Sequence, residues 1–361
     1  MSTVPNLEPA PAPVERPLET RTQGSRGFWA ETWRRYRQRK LAMVALAYVA
    51  FMALVAIFSP AIAGTKPVVC KYKGHIYFPC LGYFYRGWEN PIFRRDHFRG
   101  VYPGNLEKKD PNSWAIWPLV YQDPYRRVRA GEWPDRPANP TRDKGHPSRV
   151  DWFGTTRAGV DVFAEMVHGT RTAMLVGFVS MGIAGAIGIT FGALAGYFGG
   201  WIDMLLSRLI ELVMCIPPLV LILALIAVLE HPTIWHLMAV LGLTSWTGIA
   251  RLMRGEFIRL READFVTAAR ALGVNWFGIM FRHIFRNGLA PVFVPITFGI
   301  ASAILIESAL SFLGFGAPPP NPSWGALLEA GRDNLQMWWL IVFPGLAIFL
   351  TVLAYNLIGE G

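Results

Sequence analysis

The stretch TAMLVGFVSMGIAGAIGITFGALAGYF, residues 172–198, runs for 27 residues without an aspartate, glutamate, lysine or arginine. An α-helix needs about 20 such residues to cross a hydrocarbon core ~30 Å thick, so this stretch reads as a membrane span. Five further apolar stretches flank it: Leu41–Ala63, Met204–Leu229, Ile234–Ala250, Gly288–Leu313 and Trp338–Ile358. A buried core helix is the alternative for any one of them, but six together would need a soluble shell. The composition denies that shell, with 52% apolar and 17% charged residues over 361 positions and a mean hydropathy of +0.30. The same figures exclude a disordered, collagen-like or disulfide-scaffold chain. The expected fold is therefore an all-α polytopic membrane protein with six transmembrane helices and a large extracytoplasmic insertion between the first and second.

Lysine and arginine close to span ends resist translocation. Arg34, Arg35, Arg37, Arg39 and Lys40 precede the first span, which puts the N-terminus in the cytosol. The loop 251–287 carries seven arginines against Glu256, Glu262 and Asp264, and falls on the same side after an even number of crossings. The net charge of +10 thus fits a membrane surface and no nucleic acid. The segment 64–171 is also basic, but a loop of that length lies outside the charge rule. No small-x-small cleavage site follows the first span, so it reads as an uncleaved anchor.

Four parts are expected along the chain. Residues 1–25, rich in Pro, Glu and Thr, read as a disordered cytosolic tail. Residues 26–63 hold the basic segment and first span, 64–171 the insertion, and 172–361 a five-helix core with its cytosolic loop at 251–287. Within the insertion, Trp88, Trp114, Trp117, Trp133 and Trp152 and many Tyr and Phe carry enough apolar area for a small folded module. Val68–Tyr72 and His75–Phe78 around Lys73-Gly74 suggest a hairpin, and the Pro-rich half up to Pro147 an irregular path.

Chemical signatures are mostly absent. The sequence has no G-x-x-x-x-G-K-[ST], H-E-x-x-H, paired C-x-x-C or strand-linked G-x-G-x-x-G. The seven histidines are scattered and read as packed or solvated: His97, His146 and His168 outside, His231 and His236 at the fourth span, His75 and His283 alone. Any chemical energy this chain uses must come from a nucleotide bound elsewhere, so no cofactor or metal is assigned to it. Cys70 and Cys80 flank the hairpin on the oxidising side, where they either form a disulfide or stand as two free thiols in a small core. Cys215 in the third span reads as a small apolar residue.

Gly188, Gly192, Gly196 and Gly200 recur every four residues and give the second span a flat face for close helix approach. Glu307 lies near the middle of the fifth span, where a carboxylate is costly unless it meets protein or water. It is either a translocation or gating residue or a carboxyl that bonds helices together. Glu211 carries the same two readings and can pair with Arg208 one turn away. Pro217-Pro218 breaks the third span midway, and a broken span tends to expose backbone to a cavity.

The sharpest pattern is Asp264-Phe265-Val266-Thr267-Ala268-Ala269-Arg270-Ala271-Leu272-Gly273. A helix-forming run ends at a glycine suited to a left-handed cap, and Trp276–Arg286 begins a second amphipathic helix. The two make a compact knob, with Ala268 and Ala269 small enough to seat closely in a partner's groove.

This segment resembles the EAA loop of ABC importer permeases, E-A-A-x3-G-x9-I-x-L-P, in the form D-[FY]-V-x-A-A-R-A-L-G-x9-H-I-L-P-N of the dipeptide/oligopeptide permeases. Trp152-Phe153-Gly154-Thr155, Gly159-Val160-Asp161-Val162 and Gly169-Thr170-Arg171 are similar to that family's W-L-G-T-D-x-x-G-R-D-V…G-[AT]-R approach to the second span. Glu307–Gly316 is similar to its E-A-x-L-S-F-L-G-x-G, followed by Pro322-Ser323-Trp324-Gly325. The insertion, with Tyr77-Phe78-Pro79 and Trp114-Ala115-Ile116-Trp117-Pro118, resembles the microcin C/oligopeptide branch. Departures are Thr267 for the common Glu, Arg286 for the loop's Pro, and Thr156 and Val160 for an Asp and an Arg. The first of these removes one expected salt bridge and leaves the main-chain knob at Gly273.

The resemblance implies the type I ABC importer permease fold in a bacterial cytoplasmic (inner) membrane. It implies a second homologous permease subunit, two ATP-binding cassette ATPases that hold ATP and Mg, an extracytoplasmic peptide-binding protein, and membrane lipid around the spans. It places ATPase coupling on Asp264, Thr267, Ala268, Ala269 and Gly273, while Glu307, Glu211 and Pro217, read from the spans themselves, stay candidates for translocation or gating. Relatives continue past the position of Gly361 with a cytosolic tail of R-D-A-x-D-P type. The alternative, an ion- or proton-coupled secondary transporter or channel, predicts repeated halves and several midplane charges, and the sequence displays neither.

Overall fold

The computed structural model describes residues 34, 36–98, 100–129, 132, 145–316 and 321–360. The tail at 1–25, Arg35, Trp133 and most of the Pro-rich stretch lie outside the described residues. The helices are α1 (Lys40–Ile62), α2 (Pro91–Arg95), α3 (Tyr102–Lys109), α4 (Val162–Phe198), α5 (Gly200–Met214), α6 (Pro218–Ala227), α7 (Ile234–Arg261) and α8 (Asp264–Ala271). Next comes α9, assembled from Trp276–Gly278, a π-helical turn Ile279–Ile284 and Phe285–Gly288, then α10 (Ala290–Phe312), α11 (Trp324–Arg332) and α12 (Trp339–Glu360). Three short strands, β1 (Val69–Tyr72), β2 (His75–Tyr77) and β3 (Trp114–Ile116), form an antiparallel sheet in the order β2-β1-β3.

Among the described residues, α1, α4, α10 and α12 are long and apolar enough to cross a membrane, and the bent pair α5–α6 makes a fifth crossing if it counts as one span. The expected third span is thus not a straight helix: Pro217 and Pro218 interrupt it, and the two halves meet at 84°. The helix α7 covers the expected fourth span, but its Gly, Ser, Thr and His residues and Arg251 leave it less apolar than the others. The second span starts at Val162, ten residues before the expected Thr172, because Glu165, His168 and Arg171 lie on its first turns. An uninterrupted-apolar criterion stops at such residues although a helix does not.

The tightest packing joins α4 to α7. A side chain on Gly188 would come within 2.7 Å of Trp246 O, one on Gly196 within 2.6 Å of Arg254 O, and one on Gly192 would meet Ala250 O. From the facing helix, a side chain on Gly242 would lie 2.7 Å from Ile183 Cβ. The three glycines therefore rest on the backbone of α7, as small-residue interfaces in membranes do. Gly200 does not belong to this face. It follows Gly199 past the end of α4, both with positive φ (68° and 55°), and the pair reverses the chain into α5.

Around this pair, α1, α10 and α12 close a bundle in which Tyr48 and Thr351 share a 3.1 Å hydrogen bond. The approach to α4 is fixed from both sides. The Trp339 indole donates to Thr155 O at 3.0 Å, Trp324 Nε1 donates to Met166 O at 3.0 Å, and Phe153 stacks on Phe343 at 4.1 Å. The Asp161 carboxylate accepts from Ala164 N–H at 2.7 Å and caps α4. Burial, with Asp151 adding to it, pushes the Asp161 carboxyl up to about 8 against the lowering effect of that N–H.

The insertion folds around Cys70, Tyr72, Phe93, Phe98, Tyr102 and Leu106. The expected hairpin forms, turned by Lys73 (φ 49°) and Gly74 (φ 79°). Trp117 packs half-buried against this core, whereas Trp88, Trp114 and Trp152 are exposed. The Cys70–Cys80 disulfide is not formed. Both thiols are buried and free, with Cys70 turned into the aromatic cluster and Cys80 Sγ donating to Val68 O at 3.3 Å. Burial, with the neighbouring Cys80 adding to it, pushes the Cys70 thiol up to about 12. A network ties the insertion down: Thr65 N–H donates to Tyr83 Oη at 2.9 Å, and Thr65 Oγ1 donates to Asp123 Oδ2 at 2.7 Å. His168 Nε2 reaches Ala63 O at 2.8 Å.

Gly192→Leu should collapse the α4–α7 contact, because backbone atoms cannot move aside, at a cost of about 1–3 kcal/mol or more. Thermal unfolding in detergent checks this, with Thr190→Leu on an exposed face as the control. A wild-type Tm for Gly192→Leu would refute the packing. A second expectation concerns pH. With its folded value near 8 and an ordinary value of 3.8, the Asp161 carboxyl contributes stability below about pH 4 that is lost as pH rises to about 8. Asp161→Asn keeps a capping oxygen and should flatten this slope in Tm against pH; an unchanged slope counts against the buried carboxyl as its source.

Candidate functional site

The knob expected at residues 264–286 is present, and its geometry follows from a few residues. At the end of α8, Gly273 has φ 77°, its N–H donates to Arg270 O at 3.0 Å, and Val274 N–H donates to Ala269 O at 3.1 Å. These two bonds form the Schellman termination that a left-handed glycine allows. Two residues on, Asn275 Oδ1 accepts from Gly278 N–H at 2.8 Å and starts α9. The turn between the helices is therefore closed by bonds at both ends.

One side of the knob packs on its own chain. Val266, Ala269, Ile279, Met280 and Ile284 join Met253, Phe257 and Leu260 of α7 in the main core. The opposite side is open. Phe265, Ala268, Leu272, Trp276, Phe277 and Phe281 are exposed, and Leu272 at the apex is 83% accessible. Arg270, Arg282 and Arg286, on the same two helices, are exposed as well. A surface that carries large apolar groups and cations suits a protein partner with apolar and acidic groups.

The expected coupling residues divide across the two sides. Asp264, Thr267, Ala268 and Gly273 are exposed, whereas Ala269 is buried in the chain's own core. The paired alanines therefore do not act together on a partner, because successive residues of a helix point about 100° apart. Sequence reading missed the exposed Leu272, Trp276 and Phe277, although the amphipathic pattern of α9 carried the signal. Behind the knob, Ala186, Ile189, Thr190, Ala193 and Leu194 of α4 and Met280, Phe281 and Phe285 of α9 line a cavity of about 320 Å³.

The knob is held to the bundle by charge as well. Arg254 donates to both oxygens of Asp203, Nη2 to Oδ2 at 2.8 Å, so α7 is pinned to α5. Arg261 Nη1 donates to Tyr197 O at 3.1 Å and pins it to α4.

The expected translocation residues do not converge. Glu307 is 1% exposed, accepts from Ser311 Oγ at 2.8 Å and Ser308 Oγ at 3.4 Å, and faces the start of α11 through Ser323. It sits where it bonds packed helices together. Glu211 is exposed and pairs with Arg208 at 2.6 Å. Pro217, also exposed, stands at the α5–α6 break.

The comparisons with known proteins agree with this arrangement. The family of binding-protein-dependent transport system inner membrane components matches residues 188–360, which include the knob. The N-terminal TM domain of oligopeptide transport permease C matches residues 27–73. The dipeptide transport system permease protein DppC of Alkalihalophilus pseudofirmus is 40% identical over 224 residues, covering 62% of this chain and 73% of that protein. The inner membrane ABC transporter permease protein YejE of Escherichia coli is 33% identical over 331 residues, covering 91% and 93%. The peptidoglycan transport system permease protein YejE of Agrobacterium fabrum is 33% identical over 321 residues, covering 84% and 81%.

Ala269→Glu should leave little folded protein, because it buries a carboxylate in the α7–α8–α9 core, whereas Ala268→Glu should fold normally. Yield of monodisperse protein in detergent checks the pair. Equal yields would mean that α8 is not seated as described.

Proposed function

The chain belongs to the family of binding-protein-dependent transport system inner membrane components, and from that premise we propose that it is the permease subunit of an ATP-driven importer of peptides or peptide-like compounds. The observation that carries the coupling role is the knob: a rigid turn with an exposed apolar apex, fastened to α7 from behind. In this reading one of two ATPase subunits docks there and the other on the second permease, the pair holds the ATP and Mg, and the N-terminus lies on the same cytosolic side. The departure at Thr267 then matters little, since Leu272 and the α9 aromatics provide the seat.

A second, homologous permease is the natural cover for α5 and α6. Ile210, Ile222 and Ile226 are buried, but Met204, Leu205, Leu212, Val220 and Val228 are not. A break at Pro217 in a membrane frees carbonyls that need protein or water beside them. Lipid offers neither. The peptide assignment rests on relatives named for dipeptide and peptidoglycan transport systems. The match to the family of binding-protein-dependent transport system components also favours this reading over an ion-coupled transporter. An extracytoplasmic peptide-binding protein completes the system.

Leu272→Asp should keep the chain folded and reduce co-purification of a Walker-motif ATPase by about tenfold, the equivalent of ~1.4 kcal/mol. Affinity purification of the tagged complex in mild detergent, with mass spectrometry and ATPase assay of the eluate, measures this. Undiminished ATPase on the variant would remove the knob as the seat, and peptide uptake by vesicles lacking any ATPase would overturn the function itself.

A further inference from the structure

An antiparallel sheet with one face on a core normally turns polar side chains outward. The sheet of the insertion does not. Its inner face, with Cys70, Tyr72, Tyr77 and Ala115, lies on the aromatic cluster. On the outer face the register sets Ile76 and Trp114 on either side of Lys71, and Ile116 beside Val69. Ile76, Trp114 and Ile116 are each about half exposed, and Leu119 beyond β3 is 83% exposed. Four large apolar groups on one small module form a patch that water does not favour.

The attachment of this patch says what covers it. Leu119 N–H donates to Ala61 O at 3.1 Å, Val120 N–H to Ile62 O at 2.8 Å, and Val68 N–H to Ile116 O at 2.8 Å. The segment that follows β3 is thus bonded directly to the last turn of α1, and the end of β3 to the residue before β1. Ala61 shares a helix face with Leu54, Ile57 and Phe58, which stand seven, four and three positions before it. Those three side chains are exposed along a helix apolar enough to span a membrane, so they mark its lipid side. Leu119, itself exposed, is bonded through its N–H to Ala61 at the end of that stripe. Val120 turns the other way, into Ala164 and Val167 of α4.

We infer that the outer face of this sheet rests on the membrane, with Ile116, Leu119 and Ile76 entering the lipid leaflet at the C-terminal end of α1. Trp114 then lies at the headgroup level, where indole is favoured, and Lys71 between Ile76 and Trp114 reaches lipid phosphate. The interfacial layer adds about 5–7 Å to each side of the hydrocarbon, enough to take side chains one strand beyond the helix end. The insertion is therefore a membrane-seated module whose opposite side, bearing α3, faces water. This inference needs α1 to cross the membrane and is independent of the transport assignment.

Ile116→Cys, Leu119→Cys and Glu107→Cys, each made with Cys215→Ser and given a nitroxide label, test it in the full chain. The protein is placed in nanodiscs of phosphatidylethanolamine and phosphatidylglycerol, and collisions with oxygen and with a water-soluble nickel chelate are measured. The expected result is frequent oxygen collision at 116 and 119, with about tenfold fewer nickel collisions than at Glu107 on α3, a ratio equal to ~1.4 kcal/mol of exclusion. Nickel access at 116 and 119 equal to that at 107 would overturn the inference in favour of a water-facing surface. Protection from both reagents would overturn it in favour of a protein partner. The unsubstituted chain gives a second reading: a photoactivatable lipid should attach within 114–119, and attachment to α1 alone would count against the proposal.

Discussion

The contact on which the rest depends is the approach of α4 to α7, where Gly188, Gly192 and Gly196 lie against the carbonyls of Trp246, Ala250 and Arg254. No water-driven force brings helices together within lipid, so van der Waals contact over a long smooth face has to do it. The glycines supply that face. Once α7 is laid along α4, the direction in which it leaves the bundle is set, and Arg254 and Arg261 fall beside Asp203 and Tyr197 O. The position of α8 and α9 follows, since Phe257 and Leu260 at the end of α7 form the floor on which Val266, Ala269 and Ile279 rest.

Much of this was legible in the sequence, for definable reasons. Apolar runs report helices because lipid tolerates few alternatives, and the i, i+4 glycines report a close interface because nothing else needs that spacing. Gly273 reported a left-handed cap because little else fits there. What stayed hidden lies where one residue serves two environments. Glu165, His168 and Arg171 sit on a helix whose beginning is wrapped by the insertion, so polarity concealed its start. Ala268 and Ala269 are identical in chemistry, and only the phase of α8 on α7 decides which meets a partner. The aromatic area expected to fold the insertion does form a core, but which rings fill it was not legible: Tyr72, Phe93, Phe98 and Tyr102 do, with Trp117 against them, while Trp88, Trp114 and Trp152 are exposed. The disulfide was suggested by position alone, and position does not fix the direction of a thiol.

Glu307 illustrates the same limit from the other side. A carboxyl at mid-span is unusual enough to suggest function, and its surroundings give a simpler account. Ser308 and Ser311 supply donors from its own helix, and Gly325 lets α11 approach until a side chain there would touch Ser308 and Ser311. The expense of burying the carboxyl is offset by bonds that fix the seat of α11, and with it Trp324, whose indole reaches back to Met166 on α4. Its bonds lie on the last turns of α10.

The knob is joined to the bundle by rigid parts. If a partner pushes on Leu272, the Schellman turn and the packing of Ala269 and Val274 pass the force to α7 without an intervening flexible loop, because α8 starts only three residues after α7 ends. From α7 the glycine contact passes it to α4, along the whole interface and not at one point. Compliance has to reside elsewhere. The structure offers two places: the π-helical turn in α9, where the regular hydrogen-bond ladder is widened, and the 84° break at Pro217, where it is absent. Both border surfaces that this chain leaves uncovered, the cavity behind the knob and the open faces of α5 and α6. A displacement received at the knob would accordingly reach, through stiff helices, these two uncovered borders.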